Sequence, residues 1–231
     1  MALADAVRAA GVMPSRASPQ AAKKRYSEIL SSALAVEIAA GLRAVGFPNV
    51  KPPRGGPGER EFQGGLGPKR VDVSYADERH GLLLAVSIKS ICFPPYGKNL
   101  KNRFGDLCTE AITLHMRFPY SVVCALFAMP EEAGRDETAQ RRISTFQRAS
   151  MLLGTIGGRQ DYSSAGERFE DVTMLLFSPV KQQDGEPWVR LYAASAGPES
   201  QELSEDEYYA RLQGIYNIRN PHSQIGVGEL I

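Results

Sequence analysis

Arg70-Val71-Asp72-Val73-Ser74-Tyr75, a polar turn Asp77-Glu78-Arg79-His80-Gly81, and Leu82-Leu83-Leu84-Ala85-Val86-Ser87-Ile88-Lys89-Ser90 decide the fold of this chain. Two β-rich runs that stop at a turn-forming cluster predict an antiparallel hairpin. Side chains alternate along a strand, so Ser87 and Lys89 point one way, with Leu82, Leu84, Val86 and Ile88 behind them. A turn centred on Glu78-Arg79 sets Asp72 opposite Ala85, and therefore on the face of Ser87 and Lys89. A carboxylate beside a lysine on one sheet face suits metal-dependent phosphodiester hydrolysis, which needs an activated water and compensation of phosphate charge.

The elements around this hairpin can be read outward. Residues 1–13 predict a short helix ended by Gly11 and Pro14. Residues 19–46 predict a longer one, with Pro19 at its start and Leu30, Leu34, Ile38 and Leu42 as one buried stripe. The segment 51–68 is rich in proline and glycine and reads as a loop, with a short strand around Arg60–Gln63. After the break at Phe93-Pro94-Pro95-Tyr96-Gly97, a helix runs from about Lys101 to Phe118 and Pro119 stops it. Tyr120–Met129 is continuously apolar, as in a central strand covered on both faces. Residues 138–157 predict a helix, 171–178 and 187–194 two strands around an Asp184-Gly185 turn, and 204–219 a final amphipathic helix.

Asp72 followed across a hairpin by Ser87-x-Lys89 resembles the PD-(D/E)xK nuclease superfamily, with serine where the second acid usually stands. Some restriction endonucleases of that superfamily also carry S-x-K and supply the missing carboxylate from the following helix, here Asn102–Phe118. The resemblance covers about residues 25–130, and the order helix, strands, helix, strand over 19–129 agrees with it. It implies an α/β fold with a restriction-endonuclease-like αβββαβ core at about 19–130 and a mixed central sheet flanked by helices. Strand and helix additions follow at about 131–231; a length of 231 residues does not demand two domains, and the chain reads as one.

The resemblance also implies a site. Asp72 is the leading ligand for Mg²⁺, with Mn²⁺ as a substitute, and Lys89 stands near the attacking water or the phosphate. Ser87 lacks a carboxylate charge and at best binds a metal-coordinated water. On a helical wheel Asp106, Glu110, Thr113 and Arg117 fall on the polar face, and Glu110 lies nearer its boundary. Glu110 is therefore the expected recruited acid and second metal ligand, with Asp106 in reserve; the plain alternative is two exposed acids neighboured by Arg103 and Arg117. On the first long helix, Glu37 between Val36 and Ile38 is the candidate acid for holding metal or water, with Glu28 behind it. The implied activity is a Mg²⁺-dependent endonuclease of type II restriction character, acting on double-stranded DNA in bacterial defence as a homodimer. A non-catalytic nuclease-like module that binds DNA or a protein is the alternative, because Ser87 stands where an acid is expected.

Composition limits the other classes. With 43% hydrophobic and 23% charged residues the balance is that of a globular protein, and no apolar run approaches a bilayer span. Neither a membrane protein nor a secretory signal is expected, so the expected location is cytoplasmic. Cys92, Cys108 and Cys124 are odd in number and lack C-x-x-C spacing, which predicts reduced cysteines. A net charge of +1 leaves nucleic-acid binding to local clusters. Those are Lys98, Lys101 and Arg103 beside the acidic helix, Lys23-Lys24-Arg25 on an early one, and Arg141, Arg142 and Arg148 on a later one. His80, His115 and His222 have no metal-ligand spacing, and no P-loop, G-x-G-x-x-G or G-x-S-x-G is present.

Overall fold

The computed structural model describes residues 2–56, 58–181, 186–197 and 199–226. It is a mixed α/β protein. Helices α1 (Ala2–Ala10) and α2 (Gln20–Ala44) precede strands β1 (Arg60–Gly64), β2 (Gly67–Val71), β3 (Val73–Asp77) and β4 (Gly81–Ser90). Then come α3 (Tyr96–Arg117), β5 (Val122–Pro130), α4 (Thr145–Gly154), β6 (Asp171–Ser178), β7 (Trp188–Ala193), β8 (Gln201–Leu203) and α5 (Glu205–Arg219). A six-stranded sheet runs in the order β3-β4-β5-β6-β7-β8; β4, β5 and β6 are parallel and the other pairings antiparallel.

The sheet divides two apolar cores. On one face Leu84, Val86 and Ile88 of β4 meet Leu30, Leu34, Ile38 and Leu42 of α2, with Tyr208, Leu212 and Tyr216 of α5 alongside. On the other, Leu82, Ala85, Val123, Phe127 and Met129 meet Leu107, Ala111 and Leu114 of α3 and Ala149 and Leu153 of α4. Every residue of β5 is buried, as its unbroken apolar run requires. Among the described residues no helix is long and apolar enough to cross a membrane.

Several expectations need correction. The run Arg70–Tyr75 is not one strand: it breaks at Asp72, so β2 pairs with β1 in a separate two-stranded sheet while β3 joins the main one. The three strands expected before the acidic helix thus become four, and only two of them enter the central sheet.

The hairpin register differs as well. Asp77 pairs with Gly81, because Asp77 Oδ1 accepts hydrogen bonds from the amides of Arg79 and His80 and lengthens the turn. Leu83 is then an unpaired bulge between Ala76–Leu82 and Tyr75–Leu84. Continuing from Val73 opposite Val86, Asp72 stands opposite Ser87 rather than Ala85. Two one-residue shifts restore the original parity, so the face of Asp72 is unchanged. The same bulge sends Leu82 to the opposite core from Leu84, Val86 and Ile88.

Helix ends move for local reasons. α3 starts at Tyr96, just past Pro95, rather than near Lys101. The helix expected over 138–157 is only Thr145–Gly154, because Ser144 caps it in a box with Gln147 and Asp136 binds the Thr145 amide and hydroxyl. Arg141 and Arg142 therefore precede the helix, and Arg141 is held by Thr145 at 2.6 Å. Ser144→Ala should cost about 1 kcal/mol, read as a lower urea midpoint with unchanged slope. An unchanged midpoint would show that the cap contributes nothing. Strand β8 has no counterpart in the sequence reading, and the Asp184-Gly185 turn lies outside the described residues. The three cysteines are free, Cys92 and Cys124 buried.

Candidate active site

Asp72 owes its position to the break between β2 and β3. Backbone pairing with β4 ends at Val73, which leaves the Ile88 amide without a strand partner on that edge, and Asp72 Oδ2 accepts its hydrogen bond at 2.7 Å. Burial is the largest influence on this carboxyl and pushes it up to about 6, against the opposing pull of Lys89 and the Ile88 amide; Glu110 and Glu59 add to the rise.

Glu110 lies on the inner side of α3, 1% exposed, and not at the polar boundary that the helical wheel assigned it. Thr113, three residues beyond, is buried as well, because β1 and β2 lie over this flank of the helix. The Ser87 hydroxyl donates to Glu110 Oε1 at 2.6 Å. Lys89 Nζ and Lys69 Nζ both stand 2.9 Å from Oε2. That oxygen receives ion-pair attraction from both ammonium groups but no well-aligned hydrogen bond. Burial, the largest single influence, would raise the Glu110 carboxyl; Lys89, Lys69 and the Ser87 hydrogen bond outweigh it and hold it below the usual range. Burial alone would lower the Lys89 ammonium, but Glu110 and Asp72 reverse that, so Lys89 is a firmly charged cation.

Strand register, bend and helix thus bring Asp72, Ser87, Lys89 and Glu110 together. Asp72 and Lys89 open into a cleft of about 730 Å³ walled by Lys24, Glu28 and Ser31 of α2, by Gly56, Gly58 and Glu59 of the loop, and by Arg103 of α3. Other expected residues fall elsewhere. Glu37 does not line this cleft; it pairs with Arg54 at 3.3 Å, and the acid that α2 presents to the cleft is Glu28, nine residues earlier. Asp106 is exposed and paired with Arg103 at 2.9 Å. Lys98 and Arg103 line an adjoining groove with Lys23 and Lys24, whereas Lys101 is exposed outside both.

The donor set fits a small divalent cation that prefers oxygen. Asp72 offers the oxygen not engaged by Ile88, and Glu110 offers the buried, poorly aligned Oε2; one or two carboxylates suffice for Mg²⁺, which keeps several waters. Among the described residues no three His, Cys, Asp or Glu side chains converge as a ready-made metal cage.

Sequence reasoning missed two groups. Lys69 had no motif to mark it, although its position opposite Phe62 places it on the inward face of the β1–β2 hairpin. The second group is a buried ion cluster at the other end of the parallel strands. Glu170 Oε1 pairs with Arg159 at 2.7 Å and Oε2 accepts from the Val123 amide at 2.8 Å, with His115 at 3.4 Å and Arg219 at 3.6 Å. Each of the four side chains is at most 8% exposed, so this cluster ties α3, β5 and α5 together rather than facing a ligand. The adjacent acids Glu170-Asp171 heading an apolar strand were its only sequence trace.

No family model, curated protein or solved structure matches this chain.

Proposed function

We propose that this protein is a divalent-metal-dependent endonuclease acting on double-stranded DNA, with a restriction-endonuclease-like core in which the second acid of the site comes from helix α3. Its strongest support is one contact, the 2.6 Å hydrogen bond from Ser87 to Glu110. It sets a carboxylate at the strand position where the resembled motif has its second acid. On this reading Asp72, Glu110 and Lys89 would make up the resembled pattern in space though not in sequence.

Bound Mg²⁺ or Mn²⁺ would polarise the scissile phosphate and lower the pKa of a coordinated water. Asp72 and Glu110 would hold it. Lys89, kept charged by both acids, would oppose the negative charge that builds on the phosphate. Ser87 fixes the Glu110 carboxylate by donating its only hydroxyl proton. Lys23, Lys24, Lys98 and Arg103 line the groove beside the cleft, where they would neutralise backbone phosphates. A two-fold dimer is the simplest way to cut both strands of a palindromic site. A role in bacterial defence goes with this reading.

A second reading, a non-catalytic DNA-binding module, is favoured by the two lysines that already neutralise Glu110. Supercoiled plasmid separates the readings. Linear product in Mg²⁺, none in EDTA, and none from a folded Lys89→Ala protein is the expected result. Duplex binding without cleavage in either Mg²⁺ or Mn²⁺ would establish the second reading instead. In both cases Lys98→Ala should weaken binding to all sequences alike and reduce the slope of log affinity against log salt by about 1. An unchanged slope would place the duplex elsewhere on the surface.

A further inference from the structure

The hairpin formed by β1 and β2 stands outside the main sheet, yet it is keyed to α3. Phe62, Gly64, Lys69 and Val71 share its inward face, as the register Phe62–Lys69 and Gly64–Gly67 requires. Phe62 and Val71 are buried in the core beneath α3, and the Phe62 and Phe118 rings meet edge to face with centroids 6.1 Å apart. The Gly65 amide donates to the Thr113 carbonyl at 2.8 Å. A Cβ on Gly64 would come within 2.5 Å of the Thr113 methyl, and one on Gly65 within 2.3 Å of Met116 Cβ, so only glycine lets the turn lie this close to the helix.

Two charged residues share that face: Arg60, at its exposed end, lies over the Phe62 ring, while the Lys69 ammonium reaches the same Glu110 oxygen as Lys89. The charges count to zero without any metal: Asp72 and Glu110 against Lys69 and Lys89. A divalent cation added to all four would leave two positive charges in a half-enclosed site, which its low polarity penalises. One lysine must withdraw. Lys69 is 31% exposed and rides on the peripheral hairpin, whereas Lys89 is 19% exposed and sits on a central strand, so Lys69 is the one free to leave.

We propose that Lys69 is the resident counter-cation of the site, a positioning residue that seats Glu110 beside Ser87 in the metal-free protein and yields Glu110 Oε2 when a divalent cation binds. Docking of the β1–β2 hairpin and loading of the metal are then coupled through one oxygen. This rests on the metal-dependent reading.

Mn²⁺ titration by calorimetry, without DNA, tests it on the wild type, Lys69→Gln and Asp72→Ala. Lys69→Gln should bind Mn²⁺ about five- to tenfold more tightly than the wild type, the gain expected when one half-buried ion pair no longer competes. Asp72→Ala should bind far more weakly. In the wild type, saturating Mn²⁺ should also speed hydrogen exchange at the Gly65 amide, a readout that needs no variant to fold. If the wild type binds Mn²⁺ but Lys69→Gln binds no better and Gly65 exchange is unmoved, Lys69 is only a structural tie and the metal reading stands. If neither the wild type nor Lys69→Gln binds Mn²⁺, the metal reading falls and this proposal with it.

Discussion

Glu110→Ala is expected to abolish metal-dependent cleavage while Asp106→Ala leaves it within a factor of about two. Asp106 is half exposed and shares only a surface ion pair with Arg103, an interaction usually worth under about 1 kcal/mol. Glu110 is the buried partner of Ser87, Lys69 and Lys89 at once. Even outer-shell partners of metal ligands typically cost about 10- to 100-fold in activity or affinity, and a ligand should cost more. The fold should weaken as well. Removing one member of a buried ion group costs about 3 kcal/mol at the lower end, the relevant end here because both lysines can turn towards solvent. For a chain of this size that lowers the melting temperature by about 6–12 °C.

Adding Ser87→Glu to Glu110→Ala tests the geometry directly. Ser87 is fully buried, so a larger side chain there would overpack the wild type, but the alanine at 110 vacates space on the same face. The new carboxylate would again lie between Lys69 and Lys89. Partial recovery of cleavage in the double variant, measured on plasmid with Mg²⁺, is the expected result. Full activity in folded Glu110→Ala would show that the acid comes from elsewhere, with Glu28 and Glu59 on the cleft wall the next to replace.

Glu110 also shows what the sequence could and could not reveal. The carboxylate beside Ser87 was legible in outline, because Ser87 stands where the resembled motif has an acid and the following helix was the element expected to bring one. Its burial was not legible. A helical wheel assumes one packing partner, whereas α3 packs on the main sheet along Leu107, Ala111 and Leu114 and on the β1–β2 hairpin along a second stripe. That hairpin was itself invisible as a unit, since Gly64 and Gly65, which lie against α3, and Gly67 in the turn resemble loop punctuation when the packing is unknown. Lys69 was lost with it.

Asp72 was found for a partly different reason from the one that places it. Period-two alternation gave its face correctly, but its actual position comes from a chain bend and from the side-chain bond to Ile88, neither of which alternation encodes. The turn length and the Leu83 bulge each shifted the register by one, and only their sum kept parity. Glu37 failed for the converse reason. Neighbouring apolar residues marked it as close to the core, but 100° per residue along α2 carries it to the Arg54 side, and the cleft meets the helix nearer its start, at Glu28.

Asp72→Asn should stabilise the metal-free protein even as it eliminates cleavage. Folding raises the Asp72 carboxyl from an ordinary 3.8 to about 6, chiefly through burial, so the folded state favours the protonated form. Below about pH 4 the carboxyl is neutral in both folded and unfolded chains and disfavours neither. Between pH 4 and 6 the unfolded chain ionises first, and stability falls as pH rises; above pH 6 the loss is complete, at about 2–3 kcal/mol. Asparagine keeps an oxygen for the Ile88 amide and never ionises, so it escapes that loss. At pH 8 in EDTA the variant should therefore melt about 4–12 °C above the wild type, and the gap should close towards pH 4. Saturating Mg²⁺ should raise the wild-type melting temperature and leave the variant unmoved, since a bound cation stabilises only the protein that can hold it. A gap that is independent of pH would mean that Asp72 ionises as freely as in water, and a variant less stable than the wild type at pH 8 in EDTA would mean that its charge holds the fold together rather than waiting for a cation.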